Sequence, residues 1–114
     1  MRVVISGSRT INDKDLVWKS LDKSKFNITE LVSGGAQGVD SLGEKWACSN
    51  NIPIKIYRPD YSISNPRYAP LLRNQKMAEY GDALVAIWAD GSRGTAHMIG
   101  CMEKLHKPME VTKV

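Results

Sequence analysis

The chain has 114 residues, 42% of them apolar and 25% charged, with 16 Lys and Arg against 12 Asp and Glu for a formal charge of +4. This is the balance of an ordinary globular protein, so the whole chain, 1–114, reads as one domain. It excludes a collagen, a disordered tail and a disulfide-stapled mini-protein.

The longest unbroken apolar run, Ala83–Ala89, falls far short of the ~18 residues a membrane span needs, and Met1–Gly7 is too short for a signal peptide. No membrane partner is expected. Cys48 and Cys101 lack metal-ligand spacing, which points to a reducing, cytoplasmic setting and to no metal site. The excess of Lys favours anionic partners weakly: Lys14, Lys19, Lys23 and Lys25 are either solvated side chains or part of a nucleic-acid face.

In chain order, Val3-Val4-Ile5 predicts a buried strand running into a tight loop at Gly7. Asn12 reads as the N-cap of a first helix, with Asp13 and Asp15 in its first turn and Leu16, Val17, Trp18 and Leu21 on its apolar side. Ile28–Ser33 reads as a second strand. Val39, Leu42, Trp46 and Ala47 then recur at helical spacing until Asn50-Asn51. Ile52, Ile54 and Ile56 alternate along a third strand, where Pro53 suggests a sheet edge. A third helix is predicted over Ala69–Tyr80 and a fourth strand over Ala83–Trp88, whose continuous apolar run suits parallel pairing. Met98, Cys101, Met102 and Leu105 mark a fourth helix, offered to packing or to a second copy in a homodimer, and Met109–Val114 closes as a fifth strand. Alternating strands and helices require parallel pairing through right-handed crossovers. The predicted fold is a Rossmann-like, doubly wound α/β sheet of five strands in the order 3-2-1-4-5, with four helices.

Ligands of such sheets bind beyond the carboxyl ends of the strands, at the switch point. Three strand-to-helix loops there are rich in small residues: Gly7-Ser8-Arg9, Ser33-Gly34-Gly35-Ala36-Gln37-Gly38 and Asp90-Gly91-Ser92-Arg93-Gly94-Thr95. Glycines let backbone amides approach an anion, helix N-termini add free N–H groups, and Arg9 and Arg93 add fork-shaped cations. A phosphate-bearing ligand follows. A P-loop does not, because Val39-Asp40 follows Gly38, and a dinucleotide fingerprint fails at Ser33. Asp40 is read either as a ligand contact to ribose or base or as a helix-dipole partner, and Glu44 as an ion-pair partner or an acid. Trp88, at the end of its strand, is a candidate to stack a base.

Gly7-Ser8-Arg9, Ser33–Asp40 with Leu42-Gly43-Glu44 and Trp46-Ala47, Arg73-Asn74 with Met77, Gly81–Ala86 and Gly91–Thr95 together resemble the SLOG superfamily, in its small YspA/YpsA-related branch of phages and bacteria. The resemblance implies a Rossmann-like domain binding a nucleotide or an ADP-ribose-like ligand at these loops, often as a homodimer; beyond that ligand the sequence specifies no cofactor. Relatives of LOG type cleave the N-glycosidic bond of nucleoside monophosphates with an arginine and a glutamate. Arg73 matches the arginine, whereas the glutamate position falls on Met98, which can neither move a proton nor stabilise an oxocarbenium ion. No catalytic residue is assigned. Arg73, Asp40, Glu44 and Asp90 are the candidates if the chain is an enzyme. Three functions stand: a nucleotide-binding or sensing module, an altered LOG-type hydrolase or transferase, and a single-strand DNA-binding module like the DprA relatives.

Overall fold

The aliphatic run after Met1 extends as β1 (Arg2–Gly7), and the computed structural model, which describes residues 1–114, carries the alternation through to the end. The elements that follow are α1 (Lys14–Asp22), β2 (Glu30–Ser33), α2 (Val39–Ser49), β3 (Ile54–Ile56), α3 (Ala69–Tyr80), β4 (Ala83–Trp88), α4 (Arg93–Lys104) and β5 (Met109–Lys113). All pairings are parallel, and the order is β3-β2-β1-β4-β5, as the sequence predicts. No helix is long and apolar enough to cross a membrane.

Period-two alternation divides the core between the two faces of the sheet. Val3, Ile5, Leu31, Val85 and Ile87 meet Val17 and Leu21 of α1 and Val39, Trp46 and Ala47 of α2. Val4, Val32, Leu84 and Ala86 meet Met77 and Ala78 of α3 and Met98 and Met102 of α4. Each aliphatic side chain sealed in this way contributes about 1.5–3 kcal/mol relative to its exposed state. The methionines of α4 are consumed by the chain's own core, so the apolar surface left near α3 and α4 is carried by the exposed Tyr68, Leu72, Ala96 and Leu105 with the half-buried Leu71, Ile99 and Cys101.

Three boundaries differ from the sequence reading. The N-cap of α1 is Asp13, whose Oδ1 accepts from the Leu16 amide at 3.1 Å, and Asn12 lies one residue outside. The β2 ladder starts at Glu30 because its partner strand offers Arg2 as first residue, and Ile28 packs beside the core without joining the sheet. β3 is confined to Ile54–Ile56. Pro53 has no N–H to give, and the Ile52 amide turns back to the Ala47 carbonyl at 2.8 Å to close α2. At the sheet edge Ile54 and Ile56 remain partly exposed.

Gly38 joins two site loops. It holds φ +73°, and a Cβ there would stand 2.5 Å from the Arg9 carbonyl oxygen and 2.6 Å from that of Ser8. Such backbone costs a side chain roughly 1–3 kcal/mol before any clash. Gly38→Ala should therefore lower stability by about 3 kcal/mol or more in urea unfolding; a loss under about 1 kcal/mol would mean that the loops are not pressed together.

Candidate functional site

β1 and β4 are central neighbours, and their connections leave in opposite directions, one through α1 and one through α4. A crevice opens between their carboxyl ends, with a cavity volume of about 440 Å³. Gly7, Ser8, Arg9, Ala36, Asp40, Arg73, Asp90, Gly91, Ser92, Gly94 and Thr95 line it, joined by Ser6, Thr10, Pro70, Leu71, Asn74, Met77 and Ala89. Ser33, Gly34, Gly35, Glu44 and Arg93 stand outside this lining, as does Trp88.

The first loop is braced against the fourth strand. The Ser8 amide donates to the Ile87 carbonyl at 3.3 Å, and Ser8 Oγ accepts from the Ala89 amide at 3.1 Å. Gly7 is bare for packing reasons: a Cβ would meet the Ile87 carbonyl and the Val39 side chain at 2.5 Å. Arg9 is exposed at the rim.

The second loop corrects a simple anion-cradle picture. Asp40 Oδ2 accepts from the Gly34 and Ala36 amides at 3.2 and 3.3 Å, while the Gly35 amide donates to Ser33 Oγ at 3.1 Å. Ser33 Oγ in turn donates to Glu44 Oε2 at 2.6 Å. The amides that glycine makes accessible are taken by the loop's own side chains, and Glu44 is engaged as a structural acceptor.

The third loop is open. Gly91 holds φ +82°, Ser92 Oγ and Thr95 Oγ1 are 2.8 Å apart, and α4 has no acidic residue in its first turn. The Ala96 amide donates to the Ser92 carbonyl at 3.2 Å, so the amides before it have no intrahelical acceptor. A Cβ on Gly94 would meet nothing within 4 Å.

α3 supplies the wall between the loops. Arg73 is half-buried: its Nε donates to Asn74 Oδ1 at 2.9 Å, and its Nη1 donates to the carbonyls of Gly34 and Tyr57 at 2.7 and 3.3 Å. Burial pushes the guanidinium below its ordinary pKa and Asp40 pulls it back up, but it remains a cation. Asn74 Nδ2 reaches the Gly94 carbonyl and His97 Nδ1, which ties α3 to α4. His97 lies behind this contact and outside the lining, and burial lowers its pKa. The sequence placed Asn74 within a family pattern but not in the site; its only signal there was its position next to Arg73.

Asp40 is the only buried charged side chain in the protein. Burial raises its pKa from an ordinary 3.8 to about 6, against the two amide bonds and the positive field of Arg73. The single side-chain ion pair is Arg2–Asp82 at 3.5 Å, distant from the crevice. Trp88 donates from Nε1 to the Ser92 carbonyl at 3.2 Å and carries Lys113 over its ring, so it braces the loop from outside and is not placed to stack a base. Met98 is fully buried in the core, so the position that LOG-type enzymes give to glutamate is a packing thioether.

The fold defines a Rossmann-like α/β protein with a crevice at the switch point of its sheet, the place where ligands of such sheets bind. The model of the YspA, cpYpsA-related SLOG family matches residues 1–62. The Gene 61 protein of Mycobacterium phage D29 is 32% identical over 116 residues, covering 93% of this chain and 89% of that protein. The chain belongs to the YspA/cpYpsA-related SLOG family. Among solved structures, DNA processing protein A (DprA) from Streptococcus pneumoniae superposes with a TM-score of 0.62 at 13% identity, over 97% of this chain and 58% of that one. That likeness is one of fold, and the chain spans little more than half of DprA's length.

A carboxyl held protonated up to about pH 6 in the folded protein binds its proton more tightly than in the unfolded chain. Stability from this group is greatest below about pH 4 and is lost as pH rises through 6. Asp40→Asn, which cannot ionise, should match wild type near pH 4 and exceed it by up to about 3 kcal/mol above pH 7. Urea unfolding of both proteins at the two pH values measures the gap; a gap independent of pH would count against the buried-charge account.

Proposed function

We propose that this chain binds a nucleotide or a related ribose-phosphate, with the phosphate on the first turn of α4, and does not cleave the N-glycosidic bond. The observation that carries this reading is the convergence of an acid-free helix N-terminus with Arg9 and Arg73 on one crevice. An anion there gains from free amides, the helix dipole and two cations together. Membership of the SLOG family and a DprA-like fold support a nucleotide- or DNA-related role. The buried Met98 argues for binding rather than turnover, because no carboxylate occupies the LOG position. The small-molecule reading is favoured over a DNA-binding one because the site is a crevice and not an open basic groove.

Calorimetry with the common nucleoside 5′-monophosphates tests the proposal. Gly94→Val should lose at least tenfold in affinity at an unchanged melting temperature, since nothing in the protein lies within 4 Å of the added Cβ. Unchanged affinity in the variant would show that the loop is only a turn. Wild-type protein should release no free base above the spontaneous rate. Binding of single-stranded DNA alone, with the steep salt dependence of many phosphate contacts, would favour the DNA-binding reading instead.

A further inference from the structure

Asp40 is 6% exposed and uses only one of its two oxygens within the protein: Oδ2 takes both loop amides, and Oδ1 receives no protein hydrogen bond. No fully buried side-chain oxygen in the chain lacks a partner, so Oδ1 reaches the cavity that Asp40 lines. Arg73 Nη2, on the same wall, is likewise unengaged. One side of the crevice therefore presents a fixed anionic acceptor beside a guanidinium edge, and the other presents the amides of α4.

These two walls sort a ligand by chemistry. A phosphate is drawn to α4, whose first turn carries no carboxylate and keeps its amides free, with Asp90 just ahead of it exposed to solvent. On the facing wall the buried Asp40 carboxylate opposes a second anion, and Arg73 offsets only part of that repulsion. The group left to meet Oδ1 must be a hydrogen-bond donor, and it must be joined to the phosphate within a cavity of about 440 Å³. A vicinal pair of sugar hydroxyls satisfies both conditions, because one carboxylate oxygen can accept from both.

We infer that Asp40 Oδ1 accepts hydrogen bonds from the 2′- and 3′-hydroxyls of the bound nucleotide, making this a ribonucleotide site that discriminates against 2′-deoxyribonucleotides. The inference rests on the nucleotide-binding reading above and assigns the residue that sets sugar specificity within it. The discrimination arises because a sugar lacking one hydroxyl leaves a desolvated carboxylate short of a partner. Arg73 contributes by fixing the loop carbonyl beside Asp40.

Calorimetric titration of wild-type protein with AMP, GMP, CMP and UMP and their 2′-deoxy and 3′-deoxy counterparts tests the assignment. The best-bound ribonucleotide should bind about tenfold to a hundredfold more tightly than its 2′-deoxy form. In Asp40→Asn the two amides hold the carboxamide oxygen, so the pocket meets an amino group, and the preference should fall to within about threefold. Equal wild-type affinity for the ribo and 2′-deoxy forms would overturn the inference and leave nucleotide binding standing. A preference that survives intact in Asp40→Asn would also overturn it. Failure of wild type to bind any of the nucleotides would remove the underlying reading as well. If Asp40→Asn does not fold, the wild-type comparison across the deoxy series still separates these outcomes.

Discussion

Parallel pairing of β1 with β4 is the constraint on which the rest depends. Their register, Val3 with Ala83 through Gly7 with Ile87, sets the buried apolar runs Val3–Ile5 and Ala83–Ile87 side by side at the centre of the sheet. Strands buried on both faces require a helix layer above and another below, which α1 with α2 and α3 with α4 supply. Right-handed crossovers then carry the chain outward from this pair on both sides. The loops leaving β1 and β4 part, and the crevice is what they leave between them. The bare Cα of Gly7 belongs to the same constraint, since the end of β4 and the start of α2 close on that point.

Within the crevice the polar groups divide the work. The loop after β2 is self-contained: its amides turn inward to Asp40 and Ser33, and Arg73 clamps its Gly34 carbonyl from α3. The loop after β4 keeps its first helical amides free. Burial of Asp40 costs stability, only partly offset by two amide bonds and the Arg73 field. A group held at such a cost, in a cleft, with one oxygen uncommitted, is the kind of feature that functional sites carry.

Much of this was legible in the sequence. Ala69–Tyr80 and Ala83–Trp88 match α3 and β4 because Gly81 and an unbroken apolar run leave no competing reading. The strand order followed from Pro53 at one edge and the short final strand at the other. What composition could not show was the direction in which groups face. Ser33-Gly34-Gly35 and Gly91–Thr95 are equally rich in small residues, yet only the second leaves its amides open, because an aspartate four to six residues downstream of Gly34 and Ala36 happens to fold back in one case. Likewise the stripe of Met98, Cys101, Met102 and Leu105 fitted both a core and a partner face. The sheet claims the two methionines and leaves Leu105 outside.

The two core layers differ in chemistry as well as position. The layer under α1 and α2 contains no methionine, whereas Met77, Met98 and Met102 fill the layer under α3 and α4, with Met109 packed against it. Thioethers adapt to irregular gaps, but oxidation turns each into a polar, chiral sulfoxide that such a core cannot accommodate. Met98 and Met102 are fully buried, so peroxide reaches their sulfurs only when the α3–α4 layer opens. Met77 also lines the crevice, and α3 carries Arg73 and Asn74. Methionine oxidation therefore falls on the half of the molecule that carries Arg73 and Asn74, and the core beneath α1 and α2, which holds no methionine, is spared it.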